Sequence, residues 1–80
     1  SINMSVMNGI EALRKIRLIE PRAQVTMLTE ERNQESVIAA MAAGAADFVG
    51  KPYTRERIFA SVTTLLERRA AGTHGQAGAA

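Results

Sequence analysis

Two short apolar runs, each followed by one polar residue, constrain the possible folds of this chain more than any other feature. The first is Val-Thr-Met-Leu followed by Thr29, and the second is Phe-Val-Gly followed by Lys51. A segment whose apolar residues recur at helical spacing lies between them, which is the order of a βαβ unit. In open α/β sheets the functional residues lie just beyond the carboxyl ends of the strands. A hydroxyl and an ammonium at that edge predict an anion site, and a phosphoryl group is the anion that suits them best.

Start and stop residues bound the first two helical segments. The first helix is predicted over 9–20, after a loop at 1–8, and Pro21 ends it because proline lacks the amide hydrogen that a helix needs. The second helix is predicted over 34–43, with Asn33 as its N-cap. Its predicted apolar stripe consists of the larger side chains, which are Val37, Ile38 and Met41. The small residues of the same helix are expected to allow close approach to a neighbouring element, and they are Ala39, Ala40, Ala42 and Ala43.

The remaining part of the chain predicts one more helix and a tail. Gly44 follows the second helix, where a left-handed C-terminal cap is needed. The third helix is predicted to begin after an N-cap at Thr54 and to end near Arg69. The stretch 70–80 has no apolar period, so we expect a disordered tail there and one partial domain over 1–69.

The predicted order is helix, strand, helix, strand, helix, with strands near 24–28 and 46–50. Such alternation predicts an α/β fold with a parallel sheet and right-handed crossovers. Two parallel strands alone do not make a stable sheet, and the faces of a parallel sheet must be covered by other elements. We therefore expect further structure on the N-terminal side, supplied by a partner chain.

Composition excludes several classes of protein. The chain has no cysteine, which excludes a disulfide framework and a thiolate zinc site and fits a reducing compartment. It has no apolar run long enough to span a membrane and no signal-peptide pattern at its start. A cytoplasmic location is the expectation.

Basic residues open a second functional hypothesis. The formal net charge is only +2, but Arg14, Lys15, Arg17 and Arg22 lie close together in the sequence. A small nucleic-acid-binding module would use such a cluster, and its affinity would fall steeply with salt. A solvated helix face explains the cluster more simply, and no helix-turn-helix spacing or aromatic stacking platform accompanies it.

Residues 1–9, Ser-Ile-Asn-Met-Ser-Val-Met-Asn-Gly, are similar to the pattern D-x-N-M-P-x-M-x-G. With this motif and those that follow, the chain resembles the C-terminal part of a two-component response-regulator receiver domain, a CheY-like module with a flavodoxin-like fold. The other similar segments are 27–29, a strand that ends in Thr, 43–45 with 47–48, and Lys-Pro-Tyr at 51–53 against the family's K-P-F. The resemblance runs from residue 1 to about 66, and it implies a partial receiver fold.

The resemblance implies roles for individual residues. In the family, the residue at Thr29 contacts the phosphoryl group through its hydroxyl, and the residue at Lys51 pairs with that group. Aromatic residues at Phe48 and Tyr53 correspond to the switch aromatics. The residue at Asn3 lends a backbone carbonyl to Mg²⁺, which the family uses as its cofactor.

Departures from the family pattern limit what this chain is expected to do. The phosphoacceptor aspartate of the family falls at Ser1, whose hydroxyl has no carboxylate to form an acyl phosphate. The acidic pair that holds Mg²⁺ in the family would precede Ser1, so we expect no Mg²⁺ on this chain alone. Glu30 stands where a small residue normally leaves the phosphoryl pocket open. The chain is predicted not to be phosphorylated as it stands.

The resemblance implies a role in bacterial phosphorelay signalling, without enzymatic turnover, and a histidine kinase or an output domain as partner. We expect a truncated or divergent receiver that acts by protein–protein contact, as a homo-oligomer or strand-exchanged dimer. The surface of the second helix, second strand and third helix and the free edge of the first strand are the candidate contact regions. A fragment of a longer receiver protein, in which the missing half restores the site, is a further alternative.

Overall fold

Helices and strands alternate along the chain in the predicted order, which the structure confirms. A computed structural model describes residues 2–30 and 32–79, with side chains described through residue 72. The elements are α1 (Met4–Ile19), β1 (Thr26–Thr29), α2 (Gln34–Ala42), β2 (Asp47–Gly50) and α3 (Arg55–Ala79). Among the described residues, no helix combines the length and apolar character needed to cross a membrane.

The two strands form a parallel sheet whose register decides which residues meet. Thr26 lies opposite Asp47 at one end, and Thr29 lies opposite Gly50 at the other. Since side chains alternate between the faces of a strand, Met27 and Phe48 share one face of the sheet. Both belong to the core cluster that α1 and α2 complete.

Helix α1 begins at Met4. The prediction of a loop over residues 1–8 is therefore wrong for residues 4–8, which are helical. The Asn3 side chain supplies the start signal, because its Oδ1 accepts a hydrogen bond from the Val6 amide at 2.8 Å. Starting there extends the buried stripe of α1 by one turn, so that Val6 joins Ile10 and Leu13 in the core. The irregular apolar spacing before Gly9 concealed this turn.

The face that α2 presents to the core differs from the predicted stripe. Of the predicted stripe, Val37 packs partly buried against the core, whereas Ile38 and Met41 are 60% and 44% exposed. Ser36 and Ala40 are the buried residues of the helix. Small side chains let the helix approach the sheet closely, which larger ones at those positions would prevent. The Asn33 cap lies where the sequence predicts it, with Oδ1 accepting from the Ser36 amide at 2.8 Å.

Gly44 ends the α2 segment in the left-handed conformation that the sequence predicts. Its φ is +102°, a value that residues with a Cβ rarely adopt. The side chain of Arg17 packs against it, and an added Cβ would lie 2.6 Å from the Arg17 Nε. Arg17 also donates to the Ala23 carbonyl at 3.1 Å. The turn after α2 therefore packs against the last part of α1 through the contact between Gly44 and Arg17.

Helix α3 begins as predicted, with Thr54 Oγ1 accepting from the Arg57 amide at 3.0 Å. It continues to Ala79, beyond the expected end near Arg69. Alanine is the strongest helix former, and the alanines at the start of the last stretch explain why the helix does not end there. The division into a domain over 1–69 and a disordered tail over 70–80 stays a prediction.

Candidate functional site

The predicted anion-binding residues lie at the carboxyl edge of the sheet. Thr29 is the last residue of β1 and is buried, with 8% of its surface exposed. Lys51 follows Gly50, the register partner of Thr29. The sheet therefore brings the ends of two segments that are 22 positions apart in the sequence to the same edge.

Glu30 forms an ion pair with Lys51 across this edge. Lys51 Nζ lies 3.0 Å from Glu30 Oε1 and donates a hydrogen bond to it. That hydrogen bond and the charge of Glu30 raise the pKa of the Lys51 ammonium. Both side chains are exposed, 54% for Lys51 and 78% for Glu30, so the pair adds little to stability. Its importance is that a carboxylate already occupies the predicted anion contact.

An open cleft of about 650 Å³ lies beside the ion pair. Its lining includes Asn3 at the start of α1, Thr29 and Glu30 at the end of β1, and Tyr53 after β2. The structure therefore brings three of the predicted site residues, Asn3, Thr29 and Tyr53, to one cleft. Lys51, another predicted site residue, does not line the cleft itself but forms its ion pair with Glu30, which does.

The two predicted switch aromatics occupy different environments. Phe48 is only 3% exposed and belongs to the core cluster between the sheet and the helices α1 and α2. Tyr53 is 41% exposed and faces the cleft. Only Tyr53 is placed where it could respond directly to a ligand in the cleft, and both switch roles stay predictions.

The described residues do not provide a Mg²⁺ site. Mg²⁺ is held by oxygen ligands, carboxylates above all. Among the described residues, no group of three or more His, Cys, Asp and Glu side chains lies close enough together to hold a metal. The Asn3 carbonyl, the predicted metal contact, accepts the Met7 amide at 3.0 Å in the first turn of α1. One carbonyl is not a sufficient ligand set for Mg²⁺, and Ser1, the predicted phosphoacceptor position, lies outside the described residues.

A second polar cluster, which the sequence analysis did not identify, fixes α3 to the sheet. The Arg57 guanidinium makes two hydrogen bonds of 3.1 Å to the Asp47 carboxylate and a third of 3.3 Å to the Phe48 carbonyl. On the same face, the hydroxyl groups of Thr26 and Ser61 are 2.7 Å apart. Partners 10 and 35 positions apart carry no local sequence signal, so only the position of α3 across the sheet reveals them.

The same cluster shifts the titration of Asp47. Burial disfavours the ionised form, but hydrogen bonds from Arg57, the Phe48 amide and Ser61 outweigh it and lower the pKa of Asp47. The pKa of Arg57 is raised by the same hydrogen bond. Asp47 is therefore an ionised anchor for α3 and not an acid for chemistry at the cleft.

The basic residues of the nucleic-acid hypothesis do not form one free surface. Arg17 is engaged by Gly44 and the Ala23 carbonyl. Lys15 lies 3.4 Å from Glu11 on α1. Arg14 and Arg22 are exposed, on α1 and in the connection to β1. The arrangement does not favour binding to nucleic acid.

Comparisons with known proteins agree with the geometry. The model of the family described as response regulator receiver domain matches residues 1–63. The protein CcdB of Bacillus subtilis is 40% identical over 65 residues, which are 81% of this chain and 54% of CcdB. The chemotaxis protein CheY of Bacillus subtilis is 37% identical over 65 residues, with the same coverage of the two chains. The transcriptional regulatory protein PrrA of Mycobacterium leprae is 31% identical over 70 residues, which are 88% of this chain and 30% of PrrA.

The alignments also show what share of each relative's length this chain covers. It spans about half the length of the first two curated relatives, and less of PrrA. Those relatives therefore extend well beyond the part that this chain matches.

Proposed function

The chain belongs to the response regulator receiver domain family, and from this premise we propose that it acts by protein–protein contact and does not itself accept a phosphoryl group. In this proposal Thr29 and Lys51 remain contacts for an oxyanion at the carboxyl edge. The family suggests histidine kinases and output domains as partners, in the cytoplasm. The chain has no enzymatic turnover of its own, and Mg²⁺ has no part in the proposal because the described residues do not fit it.

The observation that carries the proposal is an uncovered apolar face beside β1. We call it the open face, and its residues are Leu28, Phe59, Val62 and Leu66, which are 56%, 73%, 46% and 58% exposed. Leu28 lies opposite Val49, on the side of the sheet where Thr26 meets Ser61 of α3. Leu66 lines a groove together with Gln24, which leads into β1, so this flank of α3 lies on the β1 side.

The second feature of this region is the free edge of β1. The described sheet has two strands, so β1 pairs with β2 on one side only. An unpaired strand edge is a template for another strand, and a two-stranded sheet is at the lower limit of stability. A second copy offers the same edge and the same open face, which is the requirement for a two-fold symmetric interface. We therefore propose a homodimer formed through β1, by edge pairing or strand exchange.

Light scattering tests the dimer. At near-millimolar concentration, the mass should approach twice the 8.6 kDa of one chain. Leu28→Lys places a charge on the open face and should return the mass to that of one chain. Leu18→Lys is the matched control, because Leu18 is 82% exposed on α1 and belongs to neither candidate contact surface. A strict monomer at the highest concentration, or equal effects of the two substitutions, would contradict the proposal.

A further substitution separates the two candidate contact surfaces. Ile38 is 60% exposed on α2, on the helical surface that the sequence analysis also considered. If Ile38→Lys dissociates the dimer and Leu28→Lys does not, the interface is the helical surface, and pairing through β1 is wrong.

Phosphorylation is tested separately, by intact mass after incubation with acetyl phosphate and Mg²⁺. We expect no phosphate adduct on this chain, while a complete receiver domain in the same solution is labelled. A hydroxylamine-sensitive adduct on this chain would identify an acyl phosphate and refute the second half of the proposal.

A further inference from the structure

The ion pair between Glu30 and Lys51 occupies the position where the proposed oxyanion would bind. Glu30 directly follows Thr29 and lines the same cleft, and its Oε1 lies 3.0 Å from the Lys51 ammonium. Among the described residues, Glu30 is the carboxylate that lies within ion-pair distance of Lys51. The Glu30 carboxylate is therefore paired with the Lys51 ammonium, which is the group that an oxyanion would need as its cationic contact.

Charge and geometry determine what this arrangement does. A lysine ammonium is a compact point charge on a flexible stem, so it attracts whichever anion is nearest. An incoming oxyanion must displace the Glu30 carboxylate from Lys51, and it is also repelled by that carboxylate if the latter stays in the cleft. Both effects lower the affinity for the oxyanion. Because Glu30 is 78% exposed, its side chain has room to move away into solvent.

We propose that Glu30 is an internal counter-anion that occupies Lys51 and thereby limits the binding of phosphate-like oxyanions at the carboxyl edge of the sheet. The inference rests on the proposed role of Thr29 and Lys51 as oxyanion contacts, and it adds a specificity-determining residue to them. Withdrawal of Glu30, by substitution or by a partner that pairs with its carboxylate, opens the site.

Titration with inorganic phosphate tests this inference on the full chain. The amide resonances of Thr29, Gly50 and Lys51 report binding, at neutral pH and constant low ionic strength. We expect weak binding to the unsubstituted chain and binding about 5- to 20-fold tighter to Glu30→Gln, the range expected from removing one exposed ion pair and one repulsion at close distance. In Glu30→Gln, a second substitution, Lys51→Met, should abolish the gain.

Glu11→Gln is the matched control. Glu11 also pairs with a lysine on the surface, with 3.4 Å between its Oε1 and Lys15 Nζ, and its substitution changes the net charge by the same amount. It should leave the phosphate affinity within twofold of the original value. An equal gain in Glu11→Gln would show a general effect of net charge, and that result would overturn the inference.

Two other results would also overturn it. One is a phosphate affinity of Glu30→Gln within twofold of the unsubstituted chain, and the other is the absence of saturable shifts in every variant. Neither result bears on the dimer, whose mass is measured without phosphate, so the failure of this inference is distinguishable from failure of the proposed contact function.

Discussion

Asp47 is the side chain that couples protonation to the fold most directly among the described residues. Its pKa is lowered, chiefly because the hydrogen bonds from Arg57 and Phe48 outweigh the cost of burial. The carboxylate therefore stabilises the fold fully above the ordinary aspartate pKa, and this contribution is lost as the pH falls through the lowered pKa of the folded state. Arg57 is 39% exposed, so solvent weakens the pair.

We predict that Asp47→Asn lowers the free energy of unfolding by about 1 kcal/mol at neutral pH. The difference between the two proteins should shrink as the pH falls from about 4 through the lowered pKa of folded Asp47, because the carboxylate is progressively protonated in the original chain as well. Urea unfolding at a fixed chain concentration measures both values. Glu11→Gln, in an exposed pair on α1, should show no measurable difference at either pH. A difference for Asp47→Asn that is constant down to acidic pH would contradict the argument.

The start of α1 depends on one cap that also borders the cleft. Asn3 accepts the Val6 amide through its side chain and the Met7 amide through its carbonyl. We predict that Asn3→Ala lowers the free energy of unfolding by about 1 kcal/mol, because an amide at the helix start loses its acceptor. Asn8→Ala is the control within the same helix and should be neutral or stabilising by roughly 0.5 kcal/mol, since alanine favours helix. Equal effects of the two substitutions in urea unfolding would show that the cap is not the cause.

The elements also show how far the sequence alone determines this structure. Periodicity and strand runs predict the order of elements, and the parallel arrangement follows from that order, so the placement of Thr29 and Lys51 at one edge of the sheet was predictable. Glu30 beside Lys51 was foreseeable too, because both residues follow strand ends. The bond between Thr26 and Ser61 was not predictable, since it depends on how α3 lies across the sheet.

The residues with which α2 contacts the core were also only partly predictable from the sequence. The predicted apolar stripe was Val37, Ile38 and Met41, but only Val37 of these packs against the core, and Ser36 and Ala40 are the buried residues. What decides the face is how closely the helix approaches the sheet, and apolar spacing does not report that distance. Sequence patterns therefore place elements more reliably than they orient them.

The proposed dimer ties the stability of the chain to its concentration. The open face and the free edge of β1 are left uncovered by the described residues, and a sheet of two strands provides little independent stability. If a second copy covers them, association stabilises the folded state by mass action. We predict that the midpoint of thermal unfolding, followed by circular dichroism, rises by about 5 to 10 °C for a hundredfold increase in chain concentration, given the unfolding entropy of a domain of this size.

The variants of the open face make this prediction specific to the proposed interface. Leu28→Lys should remove the concentration dependence, because the charged side chain would have to be desolvated against the second copy. Leu18→Lys should retain it, since Leu18 lies on α1 and belongs to neither proposed contact surface. A midpoint that does not change with concentration in the unsubstituted chain would mean that the folded state is reached without a second copy. The uncovered edge of β1 would then be available to a different partner, and the homodimer would be wrong.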